Sequence, residues 1–156
     1  AGTSASIKIL TTKSTGELAI AESKKCKIDV PCGAVIVMND KIIARAHNKK
    51  EKSKIATNHA EIIAINKACK KIKDYRLNGA IMYVTKEPCI MCMGAILSAR
   101  IDKVIYGVKD IKYSNLQLID NVNFNHKTLF ELDKNNEAEC KKLLQDFFKK
   151  LRSKNK

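Results

Sequence analysis

The sequence predicts an α/β domain of three layers, and three features of its patterning carry that prediction. Two apolar runs, "G-A-V-I-V-M" and "K-I-I-A-R-A", flank Asn39-Asp40 and read as an antiparallel hairpin. Two further runs, residues 80–85 and 103–108, are apolar almost throughout, as expected of strands covered on both faces. Segments with helical spacing alternate with these runs, and strand–helix–strand units imply parallel pairing with helices on the faces. At 156 residues the chain suits one domain. A chain of that size buries roughly 68–70% of its unfolded surface, so it needs no disulfides to hold a core.

In chain order, residues 1–14 are small and polar and read as a flexible N-terminal segment. Its opening "A-G-T-S-A-S" starts without Met and reads as a cloning remnant. Residues 15–156 form the single domain. Residues 15–26 read as a short helix, the hairpin follows, and residues 49–54 read as a charged loop. Across 58–73 the residues Ile62, Ile63, Ile65, Ala68, Cys69 and Ile72 recur at helical spacing. After the strand at 80–85, Pro88 opens a second helix that runs through Met91, Ala95 and Ile96 to Ala99. The strand at 103–108 is followed by an irregular stretch, 109–132, with a short strand near its end. The last helix carries one apolar stripe, Cys140, Leu143, Leu144, Phe147, Phe148 and Leu151. Its acidic residues come early and its basic residues late, which suits the helix dipole.

The composition, 45% hydrophobic and 29% charged, is that of an ordered globular chain. The net charge of +14 favours a polyanionic partner such as nucleic acid. The competing reading is a composition rich in Lys, Ile and Asn throughout. Of the six cysteines, Cys69 and Cys140 sit on apolar helix faces and read as small core residues, and a reducing compartment fits the set. No apolar run reaches the roughly 18 residues of a membrane span, and no signal-peptide pattern is present. No helix combines a basic face with a wide exposed apolar one, so a membrane-surface role is weaker than a nucleic-acid one.

The chemistry centres on "T-N-H-A-E-I-I" and "E-P-C-I-M-C". Cys89 and Cys92 lie one helical turn apart, so their sulfurs face the same side. A helix start also favours thiolate. His59 sits at the start of the other helix, and if both helices flank the strand at 80–85 their N-termini meet. One imidazole and two thiolates suit zinc, and three protein ligands leave the fourth tetrahedral position to water. Glu61 is placed to take a proton from that water. His47, His126, Cys26, Cys32, Cys69 and Cys140 have no metal-ligand spacing to either motif. Taken singly, each element has a plainer reading. His59 is a polar residue at a helix start, Asn58 with Glu61 is a capping box, and C-x-x-C is a redox pair or zinc knuckle. Taken together, H-x-E…P-C-x-x-C is the pattern of zinc-dependent nucleobase deaminases.

On these residues the chain resembles the tRNA-specific adenosine deaminases of the bacterial homodimeric kind. Further stretches carry the likeness: "V-P-C-G-A-V-I-V", "H-N" at His47-Asn48, "Y-R-L", "M-Y-V-T-K-E-P-C-I-M-C-M-G-A-I", "S-A-R-I", "N-H" at Asn125-His126 and "D-F-F-K-K". Lys86 and Asn58 differ from the residues usual at those places. The resemblance implies a three-layer α/β/α cytidine deaminase-like fold, with a mixed five-stranded sheet opening on the antiparallel hairpin. It implies one zinc ion per chain on His59, Cys89 and Cys92, with Glu61 as proton shuttle. Asn48, Val30, Ala60 and Pro88 would form the substrate pocket. Phe147, Phe148, Lys149, Lys150 and Arg152 would contact a tRNA anticodon stem-loop. The implied reaction is hydrolysis of the wobble adenosine to inosine, by a homodimer, in a bacterial-type cytoplasm or an organelle.

Two alternatives stand beside it. One is a free nucleobase or nucleoside deaminase, for guanine or cytosine, on the same fold. The other is a non-catalytic zinc-containing RNA-binding subunit, which the presence of Glu61 disfavours.

Overall fold

The computed structural model describes residues 10–154. The expectation of a flexible start falls, for residues 1–9, outside the described residues. The first helix, α1 (Thr12–Ser23), begins earlier than the sequence suggests. Thr11 and Ser14 form a reciprocal capping box, with Thr11 Oγ1 accepting from Ser14 N and Ser14 Oγ accepting from Thr11 N, each at 3.0 Å. The helix also ends earlier, because Lys25 N and Cys26 N donate to carbonyls only three residues back and tighten the chain into a turn.

Strands β1 (Gly33–Met38) and β2 (Lys41–His47) pair antiparallel across the Asn39-Asp40 turn. Both turn residues are left-handed, with φ of 52° and 60°, which matches the twist a two-residue hairpin requires. Residues 49–54 are not a plain loop. They contain the helical turn α2 (Lys50–Ser53), whose first N–H groups are capped by the buried carboxylate of Asp29. Then come α3 (Ala60–Ile72), β3 (Ile81–Val84), α4 (Ile90–Ser98) and β4 (Lys103–Tyr106). The irregular stretch holds a 3-10 helix (Leu116–Asn121), and β5 (Leu129–Leu132) and α5 (Glu137–Lys154) close the chain.

The sheet order is β2-β1-β3-β4-β5. β1 is antiparallel to both β2 and β3, while β3–β4 and β4–β5 are parallel. This is the mixed five-stranded sheet that the family resemblance implies. Alternate side chains of the strands go to opposite faces. Ala34, Ile36, Met82, Val84 and Val104 pack with Ala64 and Ala68 of α3 and Ile96 of α4. Val35, Val37, Tyr83 and Ile105 pack with Ala19 of α1. Ile36, Met82 and Ile96 are fully buried, and each such side chain stabilises the fold by about 1.5–3 kcal/mol. Gly33 is required where α1 crosses β1, because a side chain there would collide with the carbonyl of Ala19.

The apolar stripe of α5 is anchored only at its start. Cys140 is buried, Leu143, Leu144 and Phe147 are half-buried, and Phe148 and Leu151 are exposed. Cys69, read as a core residue, is half-buried at the edge of α3. All six cysteines are free thiols.

Candidate active site

The sheet brings two helix starts together. Thr85, just past β3, is tied to Gly33 at the head of β1 by its backbone N–H and by its hydroxyl. The residues leading into α4 therefore lie beside those leading into β1. His59 occupies the N-cap of α3 in extended conformation, with no side-chain cap bond. The capping box open to Asn58 and Glu61 is not formed. Asn58 Nδ2 donates to Ser53 Oγ at 2.9 Å, and the Glu61 carboxylate turns inward instead.

Cys89 is the N-cap of α4, so the helix starts at Ile90, two positions later than Pro88 suggests, and Pro88 itself is fully buried before the cap. The extended backbone of Cys89 is the cause. Its sulfur and that of Cys92 each lie 3.6 Å from His59 Nδ1. The three donor atoms lie within 4.8 Å of one another. A tetrahedral ion with bonds of about 2.05 Å to nitrogen and about 2.3 Å to sulfur places those atoms about 3.6 Å apart. The donor set and its spacing fit zinc, and no further His, Cys, Asp or Glu among the described residues joins the cluster.

The electrostatics point the same way. The Cys89 thiol is pulled down to about 3 by the hydrogen bond it accepts from Cys92 and, against burial, by the His59 imidazole. Cys92 moves up, because its proton is held by Cys89 and the site is buried. His59 is raised by its Cys89 partner. A bound dication needs both sulfurs as thiolates, so binding it would release protons from the pair. Glu61 is 4% exposed, and burial, reinforced by the charge of Cys89, raises its pKa. A carboxyl raised toward neutrality beside a metal-type cluster is the usual setting of a proton-transfer group.

A cavity of about 180 Å³ opens on this cluster, lined by Val30, Cys32, Asn48, Lys50, His59, Ala60, Glu61, Lys86, Glu87 and Cys89. Val30, Asn48 and Ala60 thus reach the cavity, while Pro88 does not line it. Asn48 is held by two neighbours: its Nδ2 donates to Val30 O and its Oδ1 accepts from Lys50 N, both at 3.1 Å. Phe147, Phe148, Lys149, Lys150 and Arg152 lie on the outer part of α5, apart from the cavity lining. Phe147 and Phe148 meet edge to face at 5.3 Å, and the three basic residues are exposed.

Sequence reasoning missed four residues of the cavity wall: Cys32, Lys50, Lys86 and Glu87. Cys32 is a buried thiol whose sulfur lies 3.8 Å from Glu61 Oε1, and nothing in its spacing marked it. Glu87 is 4% exposed. Its Oε1 accepts from Asp110 N and Ser114 Oγ, and its Oε2 accepts from Asn115 N. The signal available was an acidic residue just past an apolar strand, in "Y-V-T-K-E-P-C".

The fold, with a histidine and two cysteines converging beside a buried glutamate, defines a hydrolase of the nucleobase-deaminase class. The chain belongs to the MafB19-like deaminase family, whose model matches residues 10–152. The tRNA-specific adenosine deaminase of Bacillus subtilis (strain 168) is 43% identical over 144 residues, covering 88% of this chain and 89% of that protein. Its counterpart in Aquifex aeolicus (strain VF5) is 41% identical, covering 88% and 93%. Among solved structures, one from a study of A-to-I editing by tRNA:A34 deaminases at the wobble position matches with TM-score 0.79 and 35% identity. That match covers 84% of this chain and 99% of the other. A guanine deaminase from Bacillus subtilis matches with TM-score 0.62 and 38% identity, over 64% of this chain and 66% of that one. No helix among the described residues is long and apolar enough to cross a membrane.

Proposed function

We infer that the chain deaminates adenosine to inosine at the wobble position of a tRNA anticodon, by hydrolysis. The observation that carries this reading is the His59–Cys89–Cys92 triangle beside buried Glu61, in a chain 43% identical to a tRNA-specific adenosine deaminase. His59 Nδ1 and the two sulfurs would hold one zinc ion per chain. When bound, that ion supplies a Lewis acid that makes water nucleophilic near neutral pH. Glu61 accepts one proton from the attacking water on its carboxylate and delivers it to the purine ring, then carries the second, from the new C6 hydroxyl, to the departing amine. A C6–O bond forms, the C6–N bond breaks, and ammonia leaves. Val30, Ala60 and Asn48 would enclose the flipped nucleoside. Unstacking a base from a loop is cheaper than from a duplex, which suits an anticodon.

The net charge of +14 supports an RNA substrate over a free base. The exposed outer part of α5, with Phe147, Phe148, Lys149, Lys150 and Arg152, offers aromatic faces and cations to the anticodon stem-loop. Residues 15–156 then act as one deaminase domain with that helix as its RNA-contacting end. A homodimer is supported by exposed Val122, Phe124 and Leu129, which line one groove with Leu97 and Ile119. The setting is the compartment that holds tRNA, a bacterial-type cytoplasm or an organelle, where free thiols are stable.

The test is to incubate the zinc-loaded chain with an adenosine-containing anticodon stem-loop, beside free adenosine, adenine, cytosine and guanine, and to follow inosine and ammonia. Turnover of the stem-loop is expected, falling steeply with salt. Glu61→Gln should retain zinc and lose roughly 10²–10⁴ in rate. Faster turnover of free guanine than of the stem-loop would overturn the reading.

A further inference from the structure

The cavity mouth carries two cations, Lys50 and Lys86, on different segments of the chain. Lys86 has an unusual arrangement of partners. Its Nζ lies 3.2 Å from Asp110 Oδ2, with the Lys86 side chain 33% exposed. Asp110 does not need that lysine to stay in place. Its Oδ1 accepts from Lys112 N at 3.1 Å and Tyr113 N at 2.8 Å, and its own N–H donates to Glu87 Oε1 at 3.2 Å. Glu87 in turn is committed to Asp110, Ser114 and Asn115 and has no ion pair with Lys86. The acidic partner is therefore locked by backbone, while the basic one hangs on a flexible stem at the edge of the cavity.

A one-third exposed ion pair contributes little to stability, typically about 0–1 kcal/mol. An ammonium on a rotatable stem is also a point charge that moves between partners at small cost. Among the residues lining the cavity, Lys50 and Lys86 are the two that carry an ammonium, beside the carboxyls of Glu61 and Glu87. An ammonium on the cavity wall offers a phosphate a charge-assisted partner. A free base brings no phosphate, whereas a nucleoside flipped out of a strand brings one on each side.

We propose that Lys86 is a specificity residue that leaves Asp110 to take a phosphodiester of the RNA strand next to the flipped nucleoside. The inference rests on the RNA substrate proposed above. Asp110, fixed by the 110–115 turn, serves as the resting partner that holds the ammonium at the mouth. Lys86 thereby favours adenosine embedded in a strand over the same nucleoside free in solution.

The experiment measures binding of a fluorescein-labelled anticodon stem-loop to the full-length, zinc-loaded chain across a series of salt concentrations. Wild type, Lys86→Gln, Lys86→Arg and Asp110→Asn are compared, with circular dichroism and zinc content confirming that each is folded. Lys86→Gln should weaken binding at low salt by roughly 3- to 10-fold and flatten the log–log salt slope by about 0.7–0.9. Lys86→Arg should restore the slope. Asp110→Asn breaks the same ion pair but keeps the lysine, so it should hold the wild-type slope. An unchanged slope in Lys86→Gln, or an equal flattening in Asp110→Asn, would overturn the assignment. Inosine formation by wild type separates the two levels. With inosine formed and the slopes contradicting, only the Lys86 role falls. With no inosine formed, the RNA reading falls and takes the Lys86 role with it.

Discussion

Glu87 provides a sharp test of how the cavity wall is built. The structure makes it a clamp: one buried carboxylate gathers Asp110 N at 3.2 Å, Ser114 Oγ at 3.1 Å and Asn115 N at 3.1 Å from a turn more than twenty residues away in sequence. Glu87→Gln keeps the shape but removes the charge and turns one acceptor into a donor. Oriented to keep its carbonyl toward Asp110 and Ser114, the amide faces the N–H of Asn115, donor against donor. One charge-assisted hydrogen bond is lost and the two others weaken. With charged hydrogen bonds contributing about 1.5–3 kcal/mol each, the expected cost is about 2–4 kcal/mol. For a domain of this size that is a fall in melting temperature of roughly 4–16 °C. Thermal melts followed by circular dichroism read the global cost. Amide hydrogen exchange reads the local one, and the amides of Asp110 and Asn115 should lose protection before those of β3 or β4. If both amides exchange at the wild-type rate and the melting temperature stays within a degree or two, the clamp is not what holds the turn.

Two other perturbations follow from the same structure. Glu22 is buried at 4% exposure. Burial opposes its ionisation, but Lys25, Arg45 and His47 outweigh that and bring its pKa below the usual 4.5. A depressed folded-state pKa gives stability that is present above the unfolded value and lost as pH falls through the folded one, so wild-type stability should drop below about pH 4.5. Glu22→Gln should be less stable than wild type at pH 7, with a difference that narrows in acid; urea melts from pH 7 to pH 3 measure this, and a constant difference contradicts it. Gly33→Ala should cost roughly 1–3 kcal/mol by pushing β1 away from the Ala19 carbonyl of α1; a urea midpoint equal to wild type would remove the close-approach argument.

Much of this architecture was legible from local pattern. The hairpin showed because Asn39 and Asp40 tolerate left-handed backbone between two apolar runs. The sheet centre showed because both faces of β3 and β4 are covered, which leaves continuous apolar stretches. The metal-type cluster showed because helix spacing fixes Cys89 against Cys92, and His59 heads the other helix of the same face. What stayed hidden depends on partners distant in sequence. The helical turn Lys50–Ser53 exists because Asp29 caps it from the segment before β1, so its own lysine-rich residues read as loop. The turn after β4 is organised by Glu87 and Asp110 rather than by its own composition. Pro88 misplaced the start of α4 because proline fits equally well just before a cap, where the extended backbone of Cys89 now stands. The apolar stripe of α5 was legible, but not that Cys140 alone of its residues is buried.

X-ray absorption at the zinc edge of the purified, full-length chain bears most directly on the proposed chemistry. One zinc per chain is expected, with two sulfurs at about 2.3 Å and two lighter atoms at about 2.0–2.1 Å, one of them an imidazole nitrogen. Glu61→Gln should leave that shell intact while slowing turnover by roughly 10²–10⁴. A shell of three or four sulfurs, or a chain that folds and turns over substrate with no zinc, would contradict the account.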